Sequence, residues 1–131
     1  MDQSLFVRQG ETYVPTASAG GPWSPSHLHG GSPTGLLALL MEQATADTGL
    51  RLSRLTVDLL SPVPAAPLTA ELAVGRAGRR LRVLQASLLA DGVEVCRASG
   101  LFLEQAGAEV PDFGRFETGG LEPRGDRPVM T

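Results

Sequence analysis

The stretch from Gly21 to Ala44, GPWSPSHLHGGSPTGLLALLMEQA, decides how this chain folds. Its second half predicts one long helix over residues 33–48, because Ser32 is a favourable N-cap residue and Pro33 suits the first helical position. Gly49 can adopt the left-handed conformation that often ends a helix. The first half places a tryptophan, two histidines and a Gly-Gly pair directly before the helix. That approach favours a helix whose N-terminus faces a ligand.

The predicted helix is apolar on nearly every side. Leucine or methionine occupies five of the six positions 36–41, and together they cover most of the helix circumference. A helix of this kind is buried on nearly all sides. We therefore expect the rest of the chain to wrap around it.

The segments around the helix predict antiparallel strands. Apolar and polar residues alternate over 68–74 as in a half-buried strand, and Asp91-Gly92 is a strong signal for a two-residue hairpin. The predicted strands cover residues 6–8, 12–14, 54–60, 68–74, 81–90 and 93–104. One apolar helix followed by such a meander predicts an α+β fold in which the sheet curls around the helix.

A row of small residues on the last strand, Cys96, Ala98 and Gly100, would let the helix approach closely. We interpret Cys96 as a buried structural thiol and not as a nucleophile.

Composition narrows the class of protein. Of the 131 residues, 42% are hydrophobic and 19% are charged, which is typical of one globular domain. A net charge of −3 argues against nucleic-acid binding. The N-terminal sequence does not resemble a signal peptide, and no apolar run is long enough to cross a bilayer. We expect a cytoplasmic protein that makes no membrane contact and needs no cofactor.

Two further features concern metals and domains. His27 and His29 form a His-x-His pair, but no cysteine or third histidine lies near enough to complete a site, so we expect no metal. From Gln105 onward the sequence loses its periodicity and gains glycine, proline and charge. This change predicts a domain at residues 1–104 and a tail or linker at 105–131.

The order of these motifs resembles a known family. A Gly-x-Trp loop that leads through His-Gly-Gly into a central helix is similar to the N-terminal hotdog domain of thioesterase-like proteins of the acyl-CoA thioesterase II type. The similarity continues through RLSRLTVDLLSPVP at 51–64 and GRRLRVLQASLLADGVEVCRASGLFLE at 78–104. It implies the hotdog fold, in which a long antiparallel sheet wraps one helix. It also implies an acyl-CoA or other acyl thioester as the ligand.

The resemblance gives Gly30 and Gly31 a chemical role. Free N–H groups and the positive end of the helix dipole favour negative charge at a helix start. A thioester carbonyl placed against these two glycines would have its tetrahedral oxyanion stabilised there. The alternative is that the glycines only turn the chain into the helix.

Hydrolysis also needs a group that activates water or attacks the acyl carbon. Single-domain hotdog thioesterases usually have a carboxylate about two turns into the helix, where this sequence has Ala38 and Leu39. Glu42 is the candidate base, unless another subunit supplies one. In the acyl-CoA thioesterase II family two hotdogs are fused and the catalytic residues lie in the C-terminal one, whereas this chain resembles the N-terminal one.

Three residues are candidate substrate contacts. Trp23 is either a lid over the thioester or a packing residue. His29 either hydrogen-bonds the loop or lines the acyl pocket, and Met41 is the third candidate.

Two functions follow from the resemblance. The first is an acyl-CoA thioesterase. The second is a non-catalytic acyl-thioester-binding or scaffolding module, such as the N-terminal half of a double hotdog, which the missing carboxylate favours. Hydratase activity ranks below both, because no aspartate accompanies the histidines. Since a single hotdog exposes a sheet edge, we expect a homodimer or a higher homo-oligomer.

Overall fold

One long helix lies on a six-stranded antiparallel sheet in the computed structural model of the chain, which describes residues 4–107. The strands have the spatial order β1-β2-β4-β5-β6-β3. The elements are β1 Phe6–Gln9, β2 Thr12–Pro15, a short 3-10 helix Ala17–Ala19, α1 Gly31–Ala44, β3 Arg51–Leu59, β4 Leu68–Ala77, β5 Leu81–Ala90 and β6 Val93–Leu103. This arrangement confirms the predicted α+β hotdog fold. Of the predicted tail at 105–131, only residues 105–107 lie within the described part of the chain.

The long hairpin of β5 and β6 forms the centre of the sheet. Asp91 and Gly92 connect the two strands with φ values of 50° and 76°. Two consecutive positive φ angles are the signature of a type I′ turn, whose twist matches that of the strands it joins. The sequence prediction of this hairpin is confirmed, and β5 has the limits expected from the sequence.

The helix packs on β3, β5 and β6 through one face. Leu37 and Met41 are fully buried, and they meet Leu84, Leu88 and Phe102 in the core. Gly100 sets the distance between helix and sheet, because a Cβ added there would lie 2.6 Å from the Sδ atom of Met41. The row of small residues therefore does allow the close approach expected of it.

The opposite face of the helix corrects the prediction of burial on nearly all sides. Gly31, Gly35, Leu39 and Gln43 are exposed, and Leu39 keeps 50% of its surface accessible. These four residues are spaced one turn apart and form what we call the open stripe. In this chain the sheet covers one side of the helix and leaves the open stripe uncovered.

The helix limits also differ from the prediction. The helix begins at Gly31 with Gly30 as its N-cap residue, so Ser32 lies inside it and does not cap it. It ends at Ala44 and not near Thr48, because the Thr45 hydroxyl donates to the carbonyl of Met41 and turns follow. A threonine hydroxyl bonded in this way competes with continued helix. Gly49 has the expected positive φ, 72°, but stands five residues beyond the helix end.

The two edge regions of the sheet are incompletely covered. β3 is the last strand in the sheet order, and β2 pairs with β4 at the single position Tyr13–Leu68. Leu72 and Val74 of β4 are exposed, so the predicted half-buried alternation holds for Leu68 and Ala70 and fails beyond them. Leu72 and Val74 stay exposed because the helix packs on β3, β5 and β6 and does not cover this part of β4.

Candidate functional site

The loop before the helix is fixed by backbone contacts. Leu28 N–H donates to the carbonyl of Val63 at 2.8 Å, and Ala65 N–H donates to the carbonyl of Ser26 at 2.8 Å. Gly21 lies so close to His29 that an added Cβ would meet its backbone nitrogen at 3.2 Å. These contacts hold the His-Gly-Gly segment in one position relative to the end of β3 and the proline-rich segment after it.

The amide groups of Gly30 and Gly31 point out of the start of the helix without internal partners. Within residues 4–107 neither N–H has a hydrogen-bond acceptor. Gly31 is exposed, and the backbone of Gly30 lines a cavity of about 390 Å³ formed with Leu28 and residues 59–63. Free amides at a helix start, next to open space, can bind an anionic oxygen.

Both glycines also have a packing reason. A Cβ on Gly30 would lie 2.9 Å from the Cδ1 atom of Leu59, and a Cβ on Gly31 would lie 3.0 Å from the imidazole of His29. Gly30 itself has ordinary right-handed helical dihedrals, φ −60° and ψ −25°. Glycine is therefore needed at these positions because neighbours approach closely, and the turn by itself does not require it.

A chain of hydrogen bonds selects one tautomer of the neutral His29 imidazole. Ser32 Oγ is buried, and it lies 2.9 Å from the carbonyl oxygen of Ala19 and 2.8 Å from His29 Nε2. A carbonyl oxygen can only accept, so the single hydroxyl proton goes to Ala19. The serine oxygen must then accept from Nε2–H, which leaves Nδ1 of the neutral ring unprotonated. That nitrogen faces Gly31, at 3.0 Å from the position a Cβ would take there.

Glu42 does not reach this site from its own chain. It is exposed and lies eleven residues after Gly31 in the helix, which is about 16 Å along the axis. A hydrogen bond to a water at the glycine amides needs less than a fifth of that distance. Within one chain Glu42 is therefore too distant to be the base at Gly30 and Gly31.

The other two predicted substrate contacts lie in opposite environments. Trp23 is 87% exposed, so it does not pack against the described part of the chain. Met41 is fully buried between the helix and Gly100, on the face away from the open stripe. Their contact with a substrate stays a prediction.

Cys96 is a free, buried thiol on β6. Burial raises the pKa of this thiol, and the carboxylates of Asp58 and Glu94 raise it further. A thiol with a raised pKa is a poor nucleophile at neutral pH. This agrees with the structural role expected from the sequence.

Two searches for other kinds of site gave no candidate. Among residues 4–107 no three or more His, Cys, Asp or Glu side chains come together as metal ligands. In the same part of the chain no helix has the length and hydrophobicity needed to span a membrane.

The fold and the glycine-opened helix start define a thioesterase-like hotdog protein. Residues 19–103 match the family described as acyl-CoA thioesterase N-terminal domain. The match covers more than half of the chain, and the chain belongs to this family. A comparison with curated proteins gave no match.

Three solved structures, one of them described as a hypothetical thioesterase, share the fold. The PaaI protein of the Escherichia coli phenylacetic acid degradation operon is 25% identical with a TM-score of 0.63, over 73% of this chain and 71% of PaaI. A Bacillus halodurans protein solved with CoA is 20% identical with a TM-score of 0.63, over 70% of this chain. A Streptococcus pneumoniae hypothetical thioesterase solved with coenzyme A is 19% identical with a TM-score of 0.62, over 70% of this chain and 73% of its own. The aligned part of this chain spans 64% of the length of the Bacillus protein.

Proposed function

We propose that this acyl-CoA thioesterase-like protein hydrolyses acyl-CoA thioesters, with the amides of Gly30 and Gly31 as the oxyanion site. One observation carries the proposal: the two amides are free of internal acceptors and lie beside open space at the positive end of α1. Each amide that donates to a developing oxyanion typically raises kcat by about 10²–10³-fold.

The residues beside the amides support a simple hydrolysis. Water attacks the thioester carbon while His29 Nδ1 accepts the proton, and negative charge develops on the oxygen held by the Gly30 and Gly31 amides. When the intermediate collapses, the carbon–sulfur bond breaks and the thiolate takes the proton from Nδ1. The products are a carboxylic acid and CoA thiol. His29 replaces Glu42 as the base in this scheme, because Glu42 is about 16 Å away.

The choice of CoA as the leaving group rests on the family and on the neighbours. Residues 19–103 belong to an acyl-CoA thioesterase domain family, and two of the similar structures were determined with coenzyme A. In the same proposal the protein is cytoplasmic, its hotdog domain ends at residue 104, and residues 105–131 form a tail or linker. Nucleic acid and membrane are not among its partners.

The proposed assembly is a homodimer joined through β3. This strand ends the sheet, so its outer edge has no neighbour within residues 4–107. Leu59 at the end of β3 lies next to Gly30, since its Cδ1 atom is 2.9 Å from the position that a Cβ on Gly30 would take. A second copy paired along this edge would therefore lie next to the site. The second copy would then supply residues that a single chain lacks at this site. Its Glu42 is one candidate.

The second candidate is an acyl-thioester-binding module without turnover. The observation that favours it is the distance of Glu42, the one acid of α1, from the glycine amides. Binding of an acyl-CoA without release of CoA thiol would select this candidate.

The test of the first candidate is thiol release from acetyl-, octanoyl-, palmitoyl- and phenylacetyl-CoA, followed with a thiol reagent. Gly31→Pro and Gly31→Ala both add a Cβ against His29, but only the proline removes the amide proton. A proline disfavours the right-handed helical dihedrals of the residue before it, here Gly30, so circular dichroism must first show the same fold for both variants. With the fold intact, Gly31→Pro should lose about 10²-fold in kcat relative to Gly31→Ala. Equal rates for the two variants would contradict an oxyanion role for this amide.

A further inference from the structure

The open stripe of the helix forms one wall of a second cavity. This cleft, which we call the hairpin cleft, has a volume of about 410 Å³. Leu5, Phe6 and Tyr13 of the N-terminal hairpin region form the facing wall, and Leu36, Leu39 and Leu40 line the helix side. The lining is mostly apolar, and the volume lies in the range of small-molecule sites.

Gly35 stands at the N-terminal end of the helical wall and has no role in packing. A Cβ added there would meet nothing within 4 Å. Glycine inside a helix costs roughly 1 kcal/mol relative to alanine, so the fold by itself favours a larger residue here. What glycine does provide is open volume in the cleft.

The hairpin cleft begins one helical turn from the proposed oxyanion site. Gly31 and Gly35 are one turn apart on the same side of α1, and Leu39 and Gln43 follow on the next two turns. From Gly35 to Gln43 the helical wall is about 12 Å long. A group bound at the Gly31 amide can therefore extend along this wall into the cleft.

The charge of the lining fits a neutral or anionic ligand. Arg8 is the one charged residue that lines the cleft. It is exposed, its Nε donates to the carbonyl of Gly10 at 3.1 Å, and its guanidinium lies 5.9 Å from the centre of the Tyr13 ring. The cationic group is thus held on the hairpin at the surface, and the apolar side chains are left to form the interior.

We infer that the hairpin cleft binds the hydrocarbon chain of an acyl thioester and that the absence of a side chain at Gly35 lets this chain enter the cleft. The inference rests on the proposed function, since it needs the thioester carbonyl to lie at Gly30 and Gly31. It assigns the substrate class as acyl-CoAs with an extended aliphatic chain, of about the length of octanoyl or longer.

The test uses binding, so that it does not depend on turnover. The probes are CoA itself and the non-hydrolysable thioethers S-butyl-CoA and S-octyl-CoA, measured by calorimetry on the full chain and on the Gly35→Ala and Gly35→Leu variants. The wild-type chain should bind S-octyl-CoA at least about tenfold more tightly than CoA, because burying methylene groups is favourable. Gly35→Leu should weaken S-octyl-CoA about tenfold and leave CoA unchanged, with Gly35→Ala between them.

Two controls separate the possible failures. Ala44→Leu enlarges an exposed helical residue outside the cleft lining, and it should leave every affinity unchanged. The Cβ of Gly35→Leu meets nothing within 4 Å and the change gains helix propensity, so this variant should unfold no more easily than wild type. Unchanged S-octyl-CoA binding in Gly35→Leu would overturn the cleft assignment while the proposed function stands. A wild-type chain that binds neither CoA nor the thioethers would overturn both.

Discussion

Ser32 controls the chemistry of His29 without touching a substrate. Its hydroxyl gives its proton to Ala19 and accepts from Nε2, so the basic nitrogen of the neutral ring is the one that faces Gly31. The residue thus has a positioning role, comparable with that of the third group in a catalytic triad, which fixes the tautomer of its histidine.

Ser32→Ala should release this tautomer. With the hydroxyl removed, Nε2 loses its partner and both neutral forms become populated, so kcat should fall, though by less than in His29→Gln, which removes the base altogether and should cost about 10²-fold. Nitrogen NMR of the imidazole gives a readout that needs no activity: it should show protonated Nε2 in wild type and a mixture in Ser32→Ala. Ser24→Ala, which removes an exposed loop hydroxyl, is the control. An unchanged tautomer in Ser32→Ala would contradict the positioning role.

At the scale of elements, the contact between α1 and β6 depends on Gly100. An added Cβ would lie 2.6 Å from Met41 Sδ and 3.1 Å from the Phe102 ring, and both side chains are fully buried. Gly100→Ala should therefore lower the free energy of unfolding by about 1–3 kcal/mol through overpacking. Urea denaturation followed by circular dichroism measures it.

The matched control for this substitution is Gly35→Ala on α1. Its Cβ meets nothing, so it should raise the free energy of unfolding by up to about 1 kcal/mol. The two glycine-to-alanine changes thus have opposite expected signs. If both destabilise the protein equally, the close approach at Gly100 is not what fixes the helix on the sheet.

Local patterns predicted the elements well, and they predicted the surroundings of each element less well. Asp91-Gly92 predicted its hairpin because two positive φ angles are a property of those two residues. The exposure of Leu39 and Val74 was not predictable in the same way, since it depends on which strands the helix covers. The apolar character of a side chain predicts that it favours burial. It does not predict whether residues of the same chain or of a partner bury it.

The candidate site shows the same division. The free amides at the helix start were expected from the Gly-Gly pair, and the structure leaves them open. The bond between Ser32 and His29 was missed because Ser32 was interpreted as an N-cap residue, although a spacing of three residues at a helix start was a usable signal. The hairpin cleft was also missed, and its signal was the isolated Gly35 in an otherwise leucine-rich helix.

At the scale of the whole molecule, the free edge of β3 predicts association. The purified chain should have about twice its monomer mass of 13.7 kDa in light scattering at micromolar concentration. Thr56→Lys places like charges near each other in a β3–β3 pair and should shift the protein towards monomer. Thr69→Lys makes the same change on an exposed position of β4 and should not. A stable wild-type monomer would contradict the dimer, and the reverse response of the two variants would move the interface to β4.

The strand order also has a consequence for synthesis. β3 pairs with β6, which is the last of the six strands within residues 4–107 to be made, and α1 rests on β3, β5 and β6. After β3 leaves the ribosome, translation of the residues up to Val93 takes a few seconds at roughly 5–20 residues per second. Throughout that interval the leucine-rich helix lacks the complete sheet that covers it in the folded protein. We therefore expect the nascent polypeptide to bind chaperones that shield apolar segments until β6 has been made.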